Sequence, residues 1–84
     1  MAPSSSLPAP GALVVNESRD DPERGLWGRC LGFHVSGNVI VECVGYVDHG
    51  QFRYWSDGGP HRYFAHPLDI RHLTPQERRE IPGI

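Results

Sequence analysis

Residues 26–47 of this 84-residue chain, LWGRCLGFHVSGNVIVECVGYV, decide its fold. Ser36 and Gly37 are typical turn residues, and they separate two runs that are rich in apolar, β-branched and aromatic side chains. This pattern predicts a β-hairpin. A two-residue loop makes like residues face each other along the ladder, which favours that register. The expected pairs are Leu26 with Val47, Trp27 with Tyr46, Gly28 with Gly45, Cys30 with Cys43, Phe33 with Ile40 and Val35 with Asn38.

The two faces of the expected hairpin differ in chemistry. One face carries Cys30, Cys43 and other small or apolar residues, with glycines that permit tight bending, and it suits the interior of a small barrel. The other face mixes aromatic residues such as Trp27 and Tyr46 with charged ones. This mixture is unusual for a face that only meets solvent.

Short strands and tight turns continue the β pattern on both sides of the hairpin. Residues 1–10 are rich in Pro, Ser and Ala and predict a disordered tail. Residues 12–16 are expected to form a first strand, followed by a charged loop over residues 17–25. The segment 48–50 predicts a further turn, and residues 51–56 alternate in the manner of a strand.

The DGGP cluster at residues 57–60 predicts a second hairpin, which joins residues 51–56 to a strand over residues 61–66. Centring its turn on Gly58 and Gly59 places Trp55 opposite Arg62 and makes an aromatic pair of Tyr54 and Tyr63. Pro67 interrupts the chain, and residues 68–73 form a short closing strand. Thr74-Pro75-Gln76-Glu77 reads as a helix capping box, which predicts one helical turn to about residue 80.

These elements predict an all-β fold, with five or six short antiparallel strands and a C-terminal helical turn. We expect a single small β-barrel domain over residues 11–84 after the disordered tail of residues 1–10. The strand pattern over residues 11–73 resembles that of SH3-like barrels of the SH3, Tudor, chromo-barrel and KOW types. The resemblance is one of architecture and assigns no function to individual residues.

Charge and hydropathy restrict the possible partners. The chain carries a net charge of −2 and contains no lysine, whereas nucleic-acid binding usually leaves a basic footprint. No apolar run approaches the roughly 20 residues of a membrane helix, and the N-terminal residues lack the basic start of a signal peptide. The expectation is a cytoplasmic protein without a membrane partner.

Five residues are predicted to form an exposed aromatic–arginine binding surface: Trp27, Tyr46, Arg53, Trp55 and Arg62. Trp, Tyr and Arg are the residue types enriched at the hot spots of protein interfaces. The alternative is that large aromatic side chains are needed inside so small a domain merely to build its core.

The cysteines and histidines give only weak signals for a metal site or a catalytic site. Cys30 and Cys43 are interpreted as buried free thiols, with a cross-strand disulfide as the alternative, and no CxxC motif indicates zinc. His66, Asp69 and His72 would share a face only on a helix, which Pro67 disfavours. We therefore expect no metal, no cofactor and no catalytic residue.

The sequence favours a non-catalytic module that binds a protein partner, with self-association possible. Two alternatives stay open. One is a nucleic-acid-binding module of the SH3-like or KOW type, which would stack bases on the aromatic residues. The other is a small oligomeric enzyme whose site forms between subunits, because a folded part of about 60 residues leaves little room for a deep cavity.

Overall fold

The computed structural model describes residues 8–20, 22–55 and 61–83, and its chain forms one antiparallel sheet of six strands. The strands are β1 (Leu13–Asn16), β2 (Leu26–Phe33), β3 (Val39–Asp48), β4 (Gln51–Tyr54), β5 (His61–Ala65) and β6 (Ile70–His72). A 3-10 turn (Pro67–Asp69) precedes β6, and a short helix α1 (Pro75–Glu80) follows it. The expected all-β class is confirmed.

The strands follow one another across the sheet in the order β4-β3-β2-β1-β6, and β5 also pairs with β3. The first three strands form a simple meander, and β6 returns to the free side of β1. Within the described residues the sheet stays open rather than closing on itself, so the expected barrel is not confirmed.

The β2–β3 hairpin exists, but its loop is one residue longer than expected. Phe33 is opposite Val39, and the His34 amide donates a hydrogen bond of 2.8 Å to the Asn38 carbonyl. The Gly37 amide donates to the His34 carbonyl at 2.9 Å, and Gly37 has a φ of 93°. A turn closed by a left-handed glycine is the usual solution for a three-residue loop. The two-residue loop was therefore wrong.

Two irregularities change the register further along this hairpin, between Trp27 and Gly28 and between Cys30 and Gly32. As a result Cys30 is opposite Val41, and Cys43 is opposite Gly28. The expectation that the two cysteines face each other was wrong. Both are buried free thiols, which confirms that interpretation over the disulfide.

The expected hairpin between β4 and β5 was also wrong, because both strands pair with β3 instead. Residues 45–48 of β3 pair with β4, and residues 39–43 pair with β5. Residues 39–46 also pair with β2, so β4 and β5 share the opposite edge of β3. A strand of ten residues is long enough to hold both partners in line. The DGGP segment between β4 and β5 lies outside the described residues.

Alternation along β1 places Val14 and Val15 on opposite faces of the sheet, and each belongs to a separate apolar cluster. The first cluster contains Val14, Cys30, Val39, Val41 and Ala65. The second contains Val15, Trp27, Leu73 and Ile81. The last two residues come from the C-terminal segment, so this segment covers the second face of the sheet.

Trp27 is the largest side chain that is fully enclosed in the described part of the chain. Its ring makes edge contacts with Phe52 and Tyr54 at centroid distances of 5.9 and 5.3 Å. Its Nε1 donates a hydrogen bond of 3.0 Å to the Arg53 carbonyl. Because Trp27 is opposite Gly45 in the ladder, the indole reaches β4 across a residue without a side chain.

An ion-pair network fastens the C-terminal helix to the sheet. The Arg71 guanidinium donates to both carboxylate oxygens of Glu77 at 2.8 and 2.9 Å and to Glu17 at 2.7 Å. Thr74 and Glu77 exchange the two hydrogen bonds of the predicted capping box, which is confirmed. Arg71 thus joins the end of β1, β6 and α1.

This network makes stability depend on pH. Folding lowers the pKa of Glu77 from its ordinary value of 4.5 to about 2, mainly through the hydrogen bonds from Arg71. The contribution of Glu77 is therefore fully present above about pH 4.5 and is lost as the pH falls towards 2. Glu77→Gln should lower the melting temperature at neutral pH and make no difference near pH 2. The exposed Glu80→Gln is the control and should match the wild type throughout. An equal effect of Glu77→Gln at both pH values would contradict this assignment.

Two further expectations concern the termini and the membrane. Residues 1–7 of the expected tail lie outside the described residues. Pro8 is buried, and the Gly11 amide donates a hydrogen bond of 2.7 Å to the Cys30 carbonyl. None of the helices in the described segments has the length and apolar character to cross a membrane.

Candidate functional site

The structure divides the five predicted binding residues. Tyr46, Arg53 and Trp55 lie together on one face, at the edge of the sheet formed by β3 and β4. Trp27 and Arg62 lie elsewhere. The three neighbours are joined by His61, and we call these four residues the Tyr46–Trp55 surface.

Hydrogen bonding along β3 places the aromatic pair. Tyr46 is directly opposite Arg53 in the β3–β4 ladder, so their side chains lie on the same face. The Trp55 amide donates to the Val44 carbonyl at 3.1 Å, which keeps Trp55 beside β3 after β4 has ended. The rings of Tyr46 and Trp55 then meet at a centroid distance of 5.2 Å, and His61 makes an edge contact with Trp55 at 6.1 Å.

Trp55 is partly exposed, but the polar atom of its indole is not. Its Nε1 atom is buried and has no hydrogen-bond partner among the described residues. The indole lies near the Cys43 thiol, and this contact lowers the pKa of that thiol. The polar atom of the indole is therefore turned away from solvent.

The thiol beneath Trp55 is not activated. Cys43 is only 1 % exposed, and its Sγ donates to the Gly45 carbonyl at 3.2 Å. Burial is the largest influence on its pKa and raises it above the ordinary value, although contacts with Gly45 and Trp55 lower it. A nucleophilic cysteine needs a lowered pKa and access to solvent, and Cys43 has neither.

The positive charge on this surface is compensated. Arg53 Nε lies 3.3 Å from Asp48 Oδ2, and its Nη2 donates to Gln51 Oε1 at 2.8 Å. His49 Nδ1 lies 2.8 Å from the other oxygen of Asp48. The arginine therefore serves as an oriented hydrogen-bonding group rather than as an unpaired cation.

Trp27 was wrongly placed on an exposed face, because it is 0 % exposed and belongs to the core. The irregularity after Trp27 turns its indole towards the C-terminal segment. Arg62 is exposed, but it is opposite Glu42 in the β3–β5 ladder. As the strand neighbour of His61, it faces away from Trp55.

Sequence reasoning did not anticipate His61, or Asp48 as the ion-pair partner of Arg53. His61 comes close to Trp55 only because β5 pairs with β3, and that pairing left no signal in the sequence. Asp48 could have been found, since it directly precedes the turn at His49 and Gly50 that brings Arg53 back alongside β3.

Metal-binding groups are not assembled in the described segments, where no cluster of three His, Cys, Asp or Glu side chains could hold an ion. His66 instead caps the 3-10 turn, with its Nδ1 accepting a hydrogen bond of 3.1 Å from the Leu68 amide.

Comparisons with protein-family models, with curated proteins and with solved structures gave no match.

Proposed function

We propose that this protein is a small non-catalytic module that binds another protein through the Tyr46–Trp55 surface. The observation that carries the proposal is the orientation of Trp55. Its Nε1 is buried while the residue as a whole is partly exposed, and it lies beside Tyr46 and an oriented Arg53. Aromatic rings and arginine provide most of the binding energy in many protein interfaces.

The charges favour a protein partner over a nucleic acid. Arg53 is paired with Asp48, and the whole chain has a net charge of −2. Affinity for nucleic acid comes largely from unpaired cations that replace counterions on the phosphates. A partner that places an apolar side chain against Trp55 fits this surface better.

The same proposal assigns the fold to the SH3-like class. Its support is the strand order, in which β1, β2 and β3 form a meander, β4 and β5 continue it, and β6 returns to β1. Modules of this architecture often dock extended peptides on aromatic side chains, which agrees with the proposed use of Trp55.

Replacing Trp55 tests the proposal. Trp55→Ala should weaken binding of the partner by about thirtyfold, because a central Trp anchor often contributes about 2 kcal/mol or more. The partner is first captured from the native host with the tagged wild-type protein, and the affinities are then measured with purified components. Val35→Ala is the matched control, since Val35 is 99 % exposed on the β2–β3 loop. Equal losses for the two variants, or none for Trp55→Ala, would refute the proposed surface.

The aromatic pair is also what a nucleic-acid binder would use, because bases stack on Trp and Tyr without sequence preference. A titration of tryptophan fluorescence with single-stranded oligonucleotides at two salt concentrations separates the two functions. We expect little quenching at either concentration. Strong quenching that falls steeply with salt would replace the protein-binding proposal with this alternative.

A further inference from the structure

A cleft of about 450 Å³ lies on the opposite side of the β3–β4 hairpin from Arg53. Three parts of the chain that are distant in sequence meet there: the loop that follows β1, the β3–β4 hairpin and the C-terminal segment. Pockets that hold small molecules usually have volumes of about 300–1,000 Å³ and combine apolar walls with a few polar groups. This cleft has both properties.

The apolar wall of the cleft is formed by Val15, Val47 and Phe52. Val15 belongs to the second apolar cluster, and Val47 and Phe52 pack against that cluster, Phe52 with an edge contact to the buried Trp27. This wall is therefore held by the core and does not depend on a ligand for its shape.

One polar wall is already neutralised. Arg71 lines the cleft together with Glu17 and Glu77, and it is hydrogen-bonded to both carboxylates. An anion entering the cleft would have to displace these carboxylates in order to reach Arg71. We assign Arg71 to the structure of the C-terminal segment rather than to ligand binding.

Two other arginines, Arg19 and Arg24, line the cleft from the loop that follows β1. Both are exposed, and neither forms an ion pair or a side-chain hydrogen bond with another described residue. An arginine fork binds a carboxylate through two parallel hydrogen bonds. Among the side chains that line the cleft, three arginines stand against two glutamates, and this excess of one positive charge favours a monoanion over a dianion.

We propose that the cleft binds a small organic acid, with its apolar body against Val15, Val47 and Phe52 and its carboxylate between Arg19 and Arg24. This site is separate from the Tyr46–Trp55 surface and does not depend on the function proposed for it. The ligand expected from this lining is a free carboxylic acid that carries an aromatic or branched apolar group.

The probe for this site is anilinonaphthalene sulfonate, a monoanion whose fluorescence increases in apolar surroundings, and its uncharged analogue is phenylnaphthylamine. The wild type should bind the sulfonate more tightly than the neutral dye. The double variant Arg19→Gln/Arg24→Gln should lose this preference, with about tenfold weaker binding of the sulfonate and unchanged binding of the neutral dye. Naphthoate should displace the sulfonate more effectively than the dianionic naphthyl phosphate.

The matched control is Arg78→Gln/Arg79→Gln, which removes the same charge from exposed positions of α1 that do not line the cleft. Its sulfonate affinity should equal that of the wild type, and both double variants should keep the wild-type melting temperature. If both double variants weakened sulfonate binding equally, the cause would be the lower net charge of the protein rather than Arg19 and Arg24, and the proposal would be overturned. Absent binding, equal affinity for both dyes in the wild type, or stronger displacement by naphthyl phosphate would overturn it as well.

Discussion

Gly45→Ala is expected to destabilise the protein by about 3 kcal/mol or more, at the upper end of what overpacking usually costs. A β carbon at this position would overlap the carbonyl oxygen of Arg53 and would lie 2.5 Å from Trp27 Nε1. These two atoms form the hydrogen bond that joins β2 to β4, so the added methyl group would push both partners apart. Since small domains are stable by only about 5–15 kcal/mol, much of the folded population could be lost.

Gly37→Ala provides the comparison for this experiment. Gly37 has a φ of 93° and no neighbouring atom within 4 Å of an added β carbon. Alanine there should cost only the backbone strain of a left-handed residue, about 1–2 kcal/mol. Urea unfolding followed by circular dichroism gives both free energies. A loss for Gly45→Ala no larger than that for Gly37→Ala would contradict the role given to the close approach at Gly45.

Trp27→Ala should cost about 3–5 kcal/mol, the range found for removing a large aromatic side chain from a core. Trp27 is fully buried, and it links Val15 and Phe52 to the C-terminal residues Leu73 and Ile81. Its loss would open a cavity between the second face of the sheet and the C-terminal segment. We expect the variant to be largely unfolded at physiological temperature.

Trp55→Ala is the natural control, because Trp55 is only partly buried and belongs to neither apolar cluster. It should cost clearly less than Trp27→Ala in the same thermal melts, and it should remain folded for the binding experiment. Trp27→Phe keeps most of the apolar volume and removes the hydrogen bond to Arg53, so it should give an intermediate loss. Equal losses for Trp27→Ala and Trp55→Ala would contradict the separate roles given to the two tryptophans.

The hairpin could be predicted from the sequence because alternation and turn residues act locally. Its register could not, because register depends on contacts made elsewhere. The indole of Trp27 fits only where Gly45 is opposite, and the ladder shifts at Trp27 to allow this. The similarity of opposite residues favoured Tyr46 as the partner of Trp27, but tertiary packing against Phe52 and the C-terminal segment decided the pairing.

The Tyr46–Trp55 surface was foreseen in part for the same reason. Tyr46, Arg53 and Trp55 lie on either side of one tight turn. Their proximity follows from that local turn, so it could be predicted from the sequence. Arg62 was assigned to the same face on the assumption that β4 and β5 form a hairpin. In the structure β5 pairs with the long strand β3 instead, and Arg62 is opposite Glu42. Long-range pairing of this kind leaves no periodic signal in a short strand.

The shared edge of β3 has a consequence for how the chain can change in length. Gly45 and Cys43 are separated by one residue of β3, whereas their partners Tyr54 and His61 are separated by residues 55–60. Insertions or deletions within 56–60 would leave both ladders in register, because each ladder is fixed by its own partners. The chain next to Trp55 is therefore a position where residues can be added or removed without redesigning the sheet.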